Sequence, residues 1–297
     1  MTNGAERLFV PIGSSEPVAE TRPVPVASFT KLWVAVAVLA LVREGKLTLD
    51  VTIRETLPEL SARPWADSTV RELLTHTSRV PEFDEKGGFY GRADVDFSKP
   101  VDMLVMHLSR EATEKRGVFR YRNAEFALLG AILAVREGKP AGAVLAQRVF
   151  EPAHMTRSGL LVGQPPPDLD LTPLGRVRSR NFFTAGAGYA SPRDLIAFFE
   201  ALAGDTLLDA PSRALLFAGS TARDGGAFGC WAYPYDVADA GTSLLVERPG
   251  GLGNVRLVST FLPRTGRAVV AFSSEPIDLG RPRTRGIARS FARLAFE

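Results

Sequence analysis

The stretch Leu32–Val42, LWVAVAVLALV, carries no charge and has no face suited to water. A segment that is apolar on every side must be surrounded by the rest of its chain. It is too short for a bilayer, which takes roughly 20 apolar residues. Arg43-Glu44-Gly45 closes it, with the glycine suited to a left-handed C′ position. A central buried helix follows, with the rest of the molecule wrapped around it. At its mouth stands Ser28-Phe29-Thr30-Lys31. With residues 28–42 helical, positions i and i+3 share a face, so the Lys31 amine reaches the Ser28 hydroxyl. The first turn supplies positive dipole potential and free N–H groups, which favour an alkoxide at Ser28 and disfavour a Lys31 cation. Burial lowers a lysine pKa in the same direction, so a neutral base beside a hydroxyl is within physical reach near neutrality.

With 297 residues, 45% hydrophobic and 23% charged, the chain can bury a large core in one domain or in two intimately packed ones. The opening MTNGAERLFVPIGSS has neither a basic nor an apolar signal region, so a cytoplasmic protein is expected. Cys230 is alone, which excludes an internal disulfide framework. His76, His107 and His154 are scattered without metal-ligand spacing, and neither a GxGxxG nor a P-loop is present, so no metal and no cofactor are expected. The net charge of +3 comes from arginines clustered at 176–180 and 281–293. With no aromatic interleaving these read as solvated helical faces, and neither nucleic acid nor membrane is an expected partner.

Along the chain, residues 7–13, with Leu8, Phe9 and Val10, suggest a short strand. Residues 66–78 read as a helix capped by Asp67 or Ser68, with Val70, Leu73 and Leu74 on its apolar face. The glycine-rich and aromatic segment 79–100 reads as a loop over a cleft, followed by helices near 100–109, 124–137, 140–150 and 192–203. Strand-like runs at 227–233, 242–248, 254–262 and 267–274 predict an antiparallel meander, and 283–296 has helical periodicity. The spacing divides the chain into a sheet domain from residues 1–65 and 190–297 and an all-helical insertion over 66–189, with a site at their interface.

Two further motifs follow the Ser28/Lys31 pair in order. One is Tyr121-Arg122-Asn123, and the other is Arg248-Pro249-Gly250-Gly251 on a predicted strand. SxxK, then YxN, then a basic residue before glycine resembles the serine β-lactamase and penicillin-binding protein superfamily, above all class C β-lactamases, related DD-peptidases and family VIII esterases. Leu73-Leu-Thr-His-Thr-Ser78, Val149-Phe-Glu-Pro-Ala-His-Met155 and Ala185-Gly-Ala-Gly-Tyr-Ala-Ser-Pro-Arg-Asp194 are similar to further segments of that family. The resemblance implies an α/β (α+β) fold, an antiparallel sheet flanked by helices with an inserted helical subdomain. It implies Ser28 as nucleophile, Lys31 as its proton acceptor and Tyr121 as general acid/base. Asn123 would hydrogen-bond substrate or Lys31, Arg248 and Gly250 would bind substrate, and the backbone N–H groups of Ser28 and Gly251 would form the oxyanion hole.

Three departures from that pattern shape the expectation. Arg248 stands where the family has Lys or His, and a guanidinium stays charged and clamps a carboxylate bidentately. Pro249 removes a hydroxyl that helps hold a β-lactam or peptide carboxylate. Only 27 residues precede Ser28, so the sheet either lacks an edge or takes it from a partner chain, which would give a homo-oligomer. The implied function is a serine hydrolase or acyltransferase acting on an ester or amide of a small metabolite. The alternatives are a non-catalytic ligand-binding protein on the same fold and a DD-peptidase or β-lactamase. Cys230 reads as a buried strand cysteine and His76 as a local packing or capping residue.

Overall fold

The computed structural model describes residues 19–84, 88–112, 115–169, 171, 175–218, 226–228, 230–237, 241–253 and 255–273. Strand β1 (Val24–Ala27) delivers the chain to helix α1 (Thr30–Arg43), whose residues from Thr30 to Leu41 are all buried. Its surroundings are aromatic. The Trp33 ring stands edge-on to Phe29 at 5.6 Å and to Phe150 at 4.9 Å, and Phe29 meets Phe198 and Phe199 edge-on. Phe199 in turn stacks on Phe261 at 5.1 Å. These offset and edge-on pairs fix distant segments around one helix. The helix ends as its sequence requires, with Glu44 as C-cap and Gly45 at φ +70°.

Short helices α2 (Ile53–Thr56) and α3 (Val70–Thr75) follow, then α4 (Pro100–His107), the buried α5 (Asn123–Glu137) and α6 (Ala141–Leu145), which runs into a π-turn at Ala146–Phe150. Strand β2 (Gly159–Leu160), helices α7 (Arg176–Arg180) and α8 (Phe183–Gly186), strand β3 (Gly188–Ala190), and helices α9 (Pro192–Ala203) and α10 (Ala210–Phe217) complete this part. Helices α5 and α8 approach so closely that a Cβ on Gly130 would lie 2.1 Å from Thr184 Oγ1, whose hydroxyl donates to the Phe126 carbonyl at 2.8 Å.

The antiparallel sheet comprises β4 (Gly226–Ala227), β5 (Cys230–Val237), β6 (Gly241–Glu247), β7 (Gly250–Leu252), β8 (Val255–Leu262) and β9 (Arg267–Ser273). β9 borders one side of β8. β6 and β7 share the other side in one unbroken register, Glu247 opposite Thr260 and Gly250 opposite Leu257. The Arg248 N–H donates to the Ser259 carbonyl at 3.2 Å, so β6 and β7 are one strand interrupted at Pro249. A second, three-stranded sheet has the order β1-β3-β2.

The meander and the α1, α4, α5 and α9 segments lie close to where the sequence puts them. The 66–78 helix is shorter than expected and its cap is Thr69. The Thr69 hydroxyl accepts the Glu72 N–H at 3.3 Å while the Glu72 carboxylate takes the Thr69 N–H at 2.8 Å, a reciprocal pair that neither Asp67 nor Ser68 forms. The 140–150 helix divides into α6 and its π-turn. Helix α1 starts at Thr30, which leaves Ser28 on the preceding turn. β1 and β3, too short to show alternation, escape the sequence reading. The 7–13 strand and the 283–296 helix fall outside the described residues. Among the described residues no helix is long and apolar enough to cross a membrane.

Replacing the cap tests the α3 assignment. Thr69→Ala is expected to lower unfolding free energy by about 1 kcal/mol in urea titration and Thr69→Ser by much less. An equal loss in both would contradict it.

Candidate active site

Ser28 sits on a turn built with backbone strain. Ala27 adopts φ +48°, a left-handed conformation unfavourable to a residue with a Cβ. Three contacts hold it there: the Phe29 N–H donates to Val26 O at 3.0 Å, the Thr30 hydroxyl to Ala27 O at 2.6 Å, and the Gly188 N–H to Thr30 Oγ1 at 3.0 Å. Gly188 is required, since a Cβ there would lie 2.5 Å from Thr30 Oγ1. The turn leaves Ser28 half-buried while Phe29, Thr30 and Lys31 are fully inside.

The Lys31 amine is completely buried and donates to Asn123 Oδ1 at 2.8 Å and to the Ala185 carbonyl at 2.6 Å. The group bonded to the Ser28 side chain is Tyr121, whose hydroxyl donates to Ser28 Oγ at 2.9 Å. Lys31 Nζ lies 4.7 Å from the centre of the Tyr121 ring. Arg248 closes the cluster, with Nε donating to Ser28 O at 2.7 Å and Nη2 to Tyr121 Oη at 3.1 Å. Ser28, Lys31, Tyr121, Asn123 and Arg248 therefore converge, from a turn, a helix, the entry to α5 and the break between β6 and β7.

Arg248 is only 2% exposed, and its guanidinium donates to the Ser28 backbone and the Tyr121 phenol. These bonds tie Arg248 to the site itself. The electrostatics follow. Burial pushes the Lys31 ammonium below the ordinary lysine value; Tyr121 opposes this and Arg248 reinforces it. Tyr121 as a whole is 39% exposed, while desolvation at its phenol alone would raise the pKa; the charges of Lys31 and Arg248, with the hydrogen bonds to Lys31 and Ser28, outweigh it and bring Tyr121 down to about 7.

Strand geometry places Gly250 and Gly251 differently. A Cβ on Gly250 would stand 2.2 Å from the Val26 carbonyl oxygen, so glycine is what lets β7 lie against β1. Because the Arg248 N–H faces β8, strand alternation turns the nitrogens of residues 249 and 251 to the other edge. Pro249 consequently forfeits no bond to β8, and the Gly251 N–H is directed away from β8.

Sequence reasoning missed the supports. The Glu82 carboxylate caps α5 from a distance, accepting the N–H groups of Asn123 at 2.6 Å and Ala124 at 3.1 Å. Tyr90, which accepts from Asn123 Nδ2 at 3.3 Å, stacks on Phe182. The Ala185 carbonyl belongs to a segment already similar to the family, the one signal that pointed at it. Phe83, Phe89 and Tyr90 are buried and pack on each other. Cys230 is buried with its thiol pushed up to about 12, which makes it inert. Among the described residues no group of three or more His, Cys, Asp or Glu side chains stands together to hold a metal ion.

This sheet, the buried helix and the Ser28 turn define a serine β-lactamase-like fold. The chain belongs to the Beta-lactamase family, whose profile matches residues 3–291. It is 30% identical over 166 residues to esterase EstB of Burkholderia gladioli, covering 51% of this chain and 42% of EstB. It is 27% identical over 135 residues to the putative penicillin-binding protein PbpX of Bacillus subtilis, covering 45% of this chain. These matches span less than half the length of either curated relative. The fold is similar to a penicillin-binding protein from Bacillus halodurans, with TM-score 0.75, 23% identity, and 93% of this chain and 87% of that one covered. It is also similar to D-amino acid amidase from Ochrobactrum anthropi, with TM-score 0.74, 21% identity, and 94% and 86% covered.

The two glycines separate by substitution. Gly250→Ala is expected to cost about 1–3 kcal/mol of stability as β1 and β7 are forced apart. Gly251→Ala, whose nearest neighbour would be Arg256 Cδ at an ordinary 3.7 Å, should keep the parent melting temperature. Equal melting temperatures for both variants would contradict the packing.

Proposed function

We propose that the protein is a serine hydrolase that cleaves an ester or amide of a small molecule through an acyl-enzyme on Ser28. The observation that carries this reading is the Tyr121 hydroxyl on Ser28 Oγ, held between two cations that stabilise its phenolate. As phenolate, Tyr121 takes the Ser28 proton while Oγ attacks the acyl carbon. Lys31 serves through its charge and its grip on Asn123, a change from the expected direct proton transfer from Ser28 to Lys31. The oxyanion of the tetrahedral intermediate is held by the N–H groups of Ser28 and Gly251, the latter supported by its orientation away from β8. Each such donor is worth about 10²- to 10³-fold in rate. Collapse breaks the bond to the alcohol or amine, which leaves with the proton from Tyr121. Water then attacks the acyl-Ser28 ester with its proton passing to Tyr121, and Ser28 is regenerated.

Ester cleavage is favoured over amide cleavage, because an alkoxide leaving group demands less of the general acid. A ligand-binding protein would need Arg248 open to its ligand, and its burial argues against that role. Loss of the usual hydroxyl at Pro249 argues against an efficient β-lactamase.

Two experiments test the reading. Intact mass after brief exposure to activated esters, thioesters and penicillins should show one acyl adduct, absent in Ser28→Ala; no adduct with any donor would end the proposal. Decay of the adduct in water against decay in added amine or alcohol separates hydrolysis from transfer. In a pH profile, kcat/KM should rise with the Tyr121 phenolate and level off above about pH 7. Removing the Arg248 charge raises the phenol pKa, so Arg248→Ala should move this acid limb to higher pH and Arg248→Lys should move it less. A limb that stays in place in both variants would contradict the assignment.

A further inference from the structure

His76 does more than end a helix. It is the left-handed C-cap of α3, with φ +56°, and is 5% exposed. Its ring centre lies 4.6 Å from that of Tyr121 and 5.1 Å from that of Phe126, with Phe119 edge-on at 5.9 Å. Its backbone carbonyl accepts the Arg120 N–H at 2.7 Å and its Nδ1 accepts the Arg122 N–H at 3.3 Å. One residue therefore holds the backbone on both sides of Tyr121 and one face of its ring. Behind it lies Glu125, fully buried on the first turn of α5, with Oε2 at 2.5 Å from His76 Nδ1. Oε1 accepts the Ser78 hydroxyl at 2.5 Å, and Ser78 Oγ accepts the Val80 N–H at 3.2 Å.

The Arg122 N–H directed at Nδ1 points to a lone pair there, which Glu125 Oε2 then shares as the donor of the short bond. On this assignment Glu125 is a neutral carboxylic acid and His76 a neutral imidazole with its proton on Nε2, a nitrogen buried without a hydrogen-bond partner among the described residues. Electrostatics agrees: burial drives Glu125 well above the usual carboxylate range, and burial followed by the charges of Lys31, Arg248 and Arg122 drives His76 well below its own. The titratable and charged groups facing the pair are Lys31 from α1, Arg248 from the β6–β7 break, Tyr121 and Arg122 ahead of α5, and Glu82 from the loop after α3.

We propose that His76 and protonated Glu125 form a charge-neutral pair that positions Tyr121 against Ser28. An anion at Glu125 would oppose formation of the phenolate, and an imidazolium would repel Lys31. The neutral pair fixes the ring while leaving its ionisation to Lys31 and Arg248. The catalytic consequence rests on the reading of Tyr121 as the base for Ser28, whereas the protonation state does not.

The infrared difference spectrum between the parent protein and Glu125→Gln at pH 7 should contain the carbonyl stretch of a neutral carboxylic acid, lost in the variant. A carboxylate band in its place overturns the proposal whether or not the protein turns over any ester. With a substrate in hand, Glu125→Ala should lower kcat at least about tenfold with little change in KM and displace the acid limb of the pH profile. Glu125→Gln, which can still donate to Nδ1 and accept from Ser78, should restore most of both. A Glu125→Ala protein that loses only thermal stability, with kcat and acid limb unmoved, overturns the positioning role. If that variant does not fold, the infrared band decides alone. Absence of any Ser28 adduct in a protein that shows the band would remove the proposed hydrolase activity and leave the neutral pair standing.

Discussion

The site depends on one buried amine. Lys31 lies at the start of a helix that is apolar all round, and it has no exposed surface. An unpaired ammonium in such a place is prohibitively costly, so the chain must bring polar partners to it. It does so from two directions, with Asn123 Oδ1 at the entry of α5 and the Ala185 carbonyl in α8. Satisfying Lys31 thus draws α1, α5 and α8 together, and Tyr121, two residues before Asn123, arrives over Ser28 as a consequence. The close contact of Gly130 with Thr184 holds α5 and α8 at the distance this requires.

A second convergence comes from the sheet. β6 and β7 run as one strand along β8, and the break at Pro249 falls where the backbone faces away from β8 and loses no bond to it. Arg248 leaves the strand at that break and reaches both the Ser28 carbonyl and the Tyr121 phenol. Substituting arginine for the family's lysine or histidine changes more than bond geometry. A guanidinium remains charged throughout, so Tyr121 has one constant cation beside it and a second, Lys31, whose charge is coupled to its own. At Tyr121 burial and charge act in opposite senses, and the phenol settles near neutrality because two cations outweigh its desolvation.

Much of this was legible in the sequence, and the pattern of what was not is physical. The buried α1, the helices with clear periodicity and the strands with β-branched runs declare themselves through local composition. So do Ser28, Lys31, Tyr121, Asn123 and Arg248, because their motifs occur in order. The true cap of α3 was missed by one or two residues, since Asp67, Ser68 and Thr69 have similar propensity and only the reciprocal Glu72 bond selects Thr69. β1, β3 and the α8 turn are too short to show a period. Glu82, the His76–Glu125 pair and the Ala185 carbonyl act across long sequence separations, where no local pattern announces a partner. The inward turn of Arg248 was hidden for the same reason.

The account turns on Tyr121 being an acidic phenol, and ultraviolet difference titration measures that most directly. The chain has five tyrosines, and one of them should ionise near pH 7 in the parent protein, with that step missing in Tyr121→Phe. If every tyrosine ionises near the ordinary phenol value of about 10, the cations around Tyr121 do not do what the geometry requires of them, and the central claim fails.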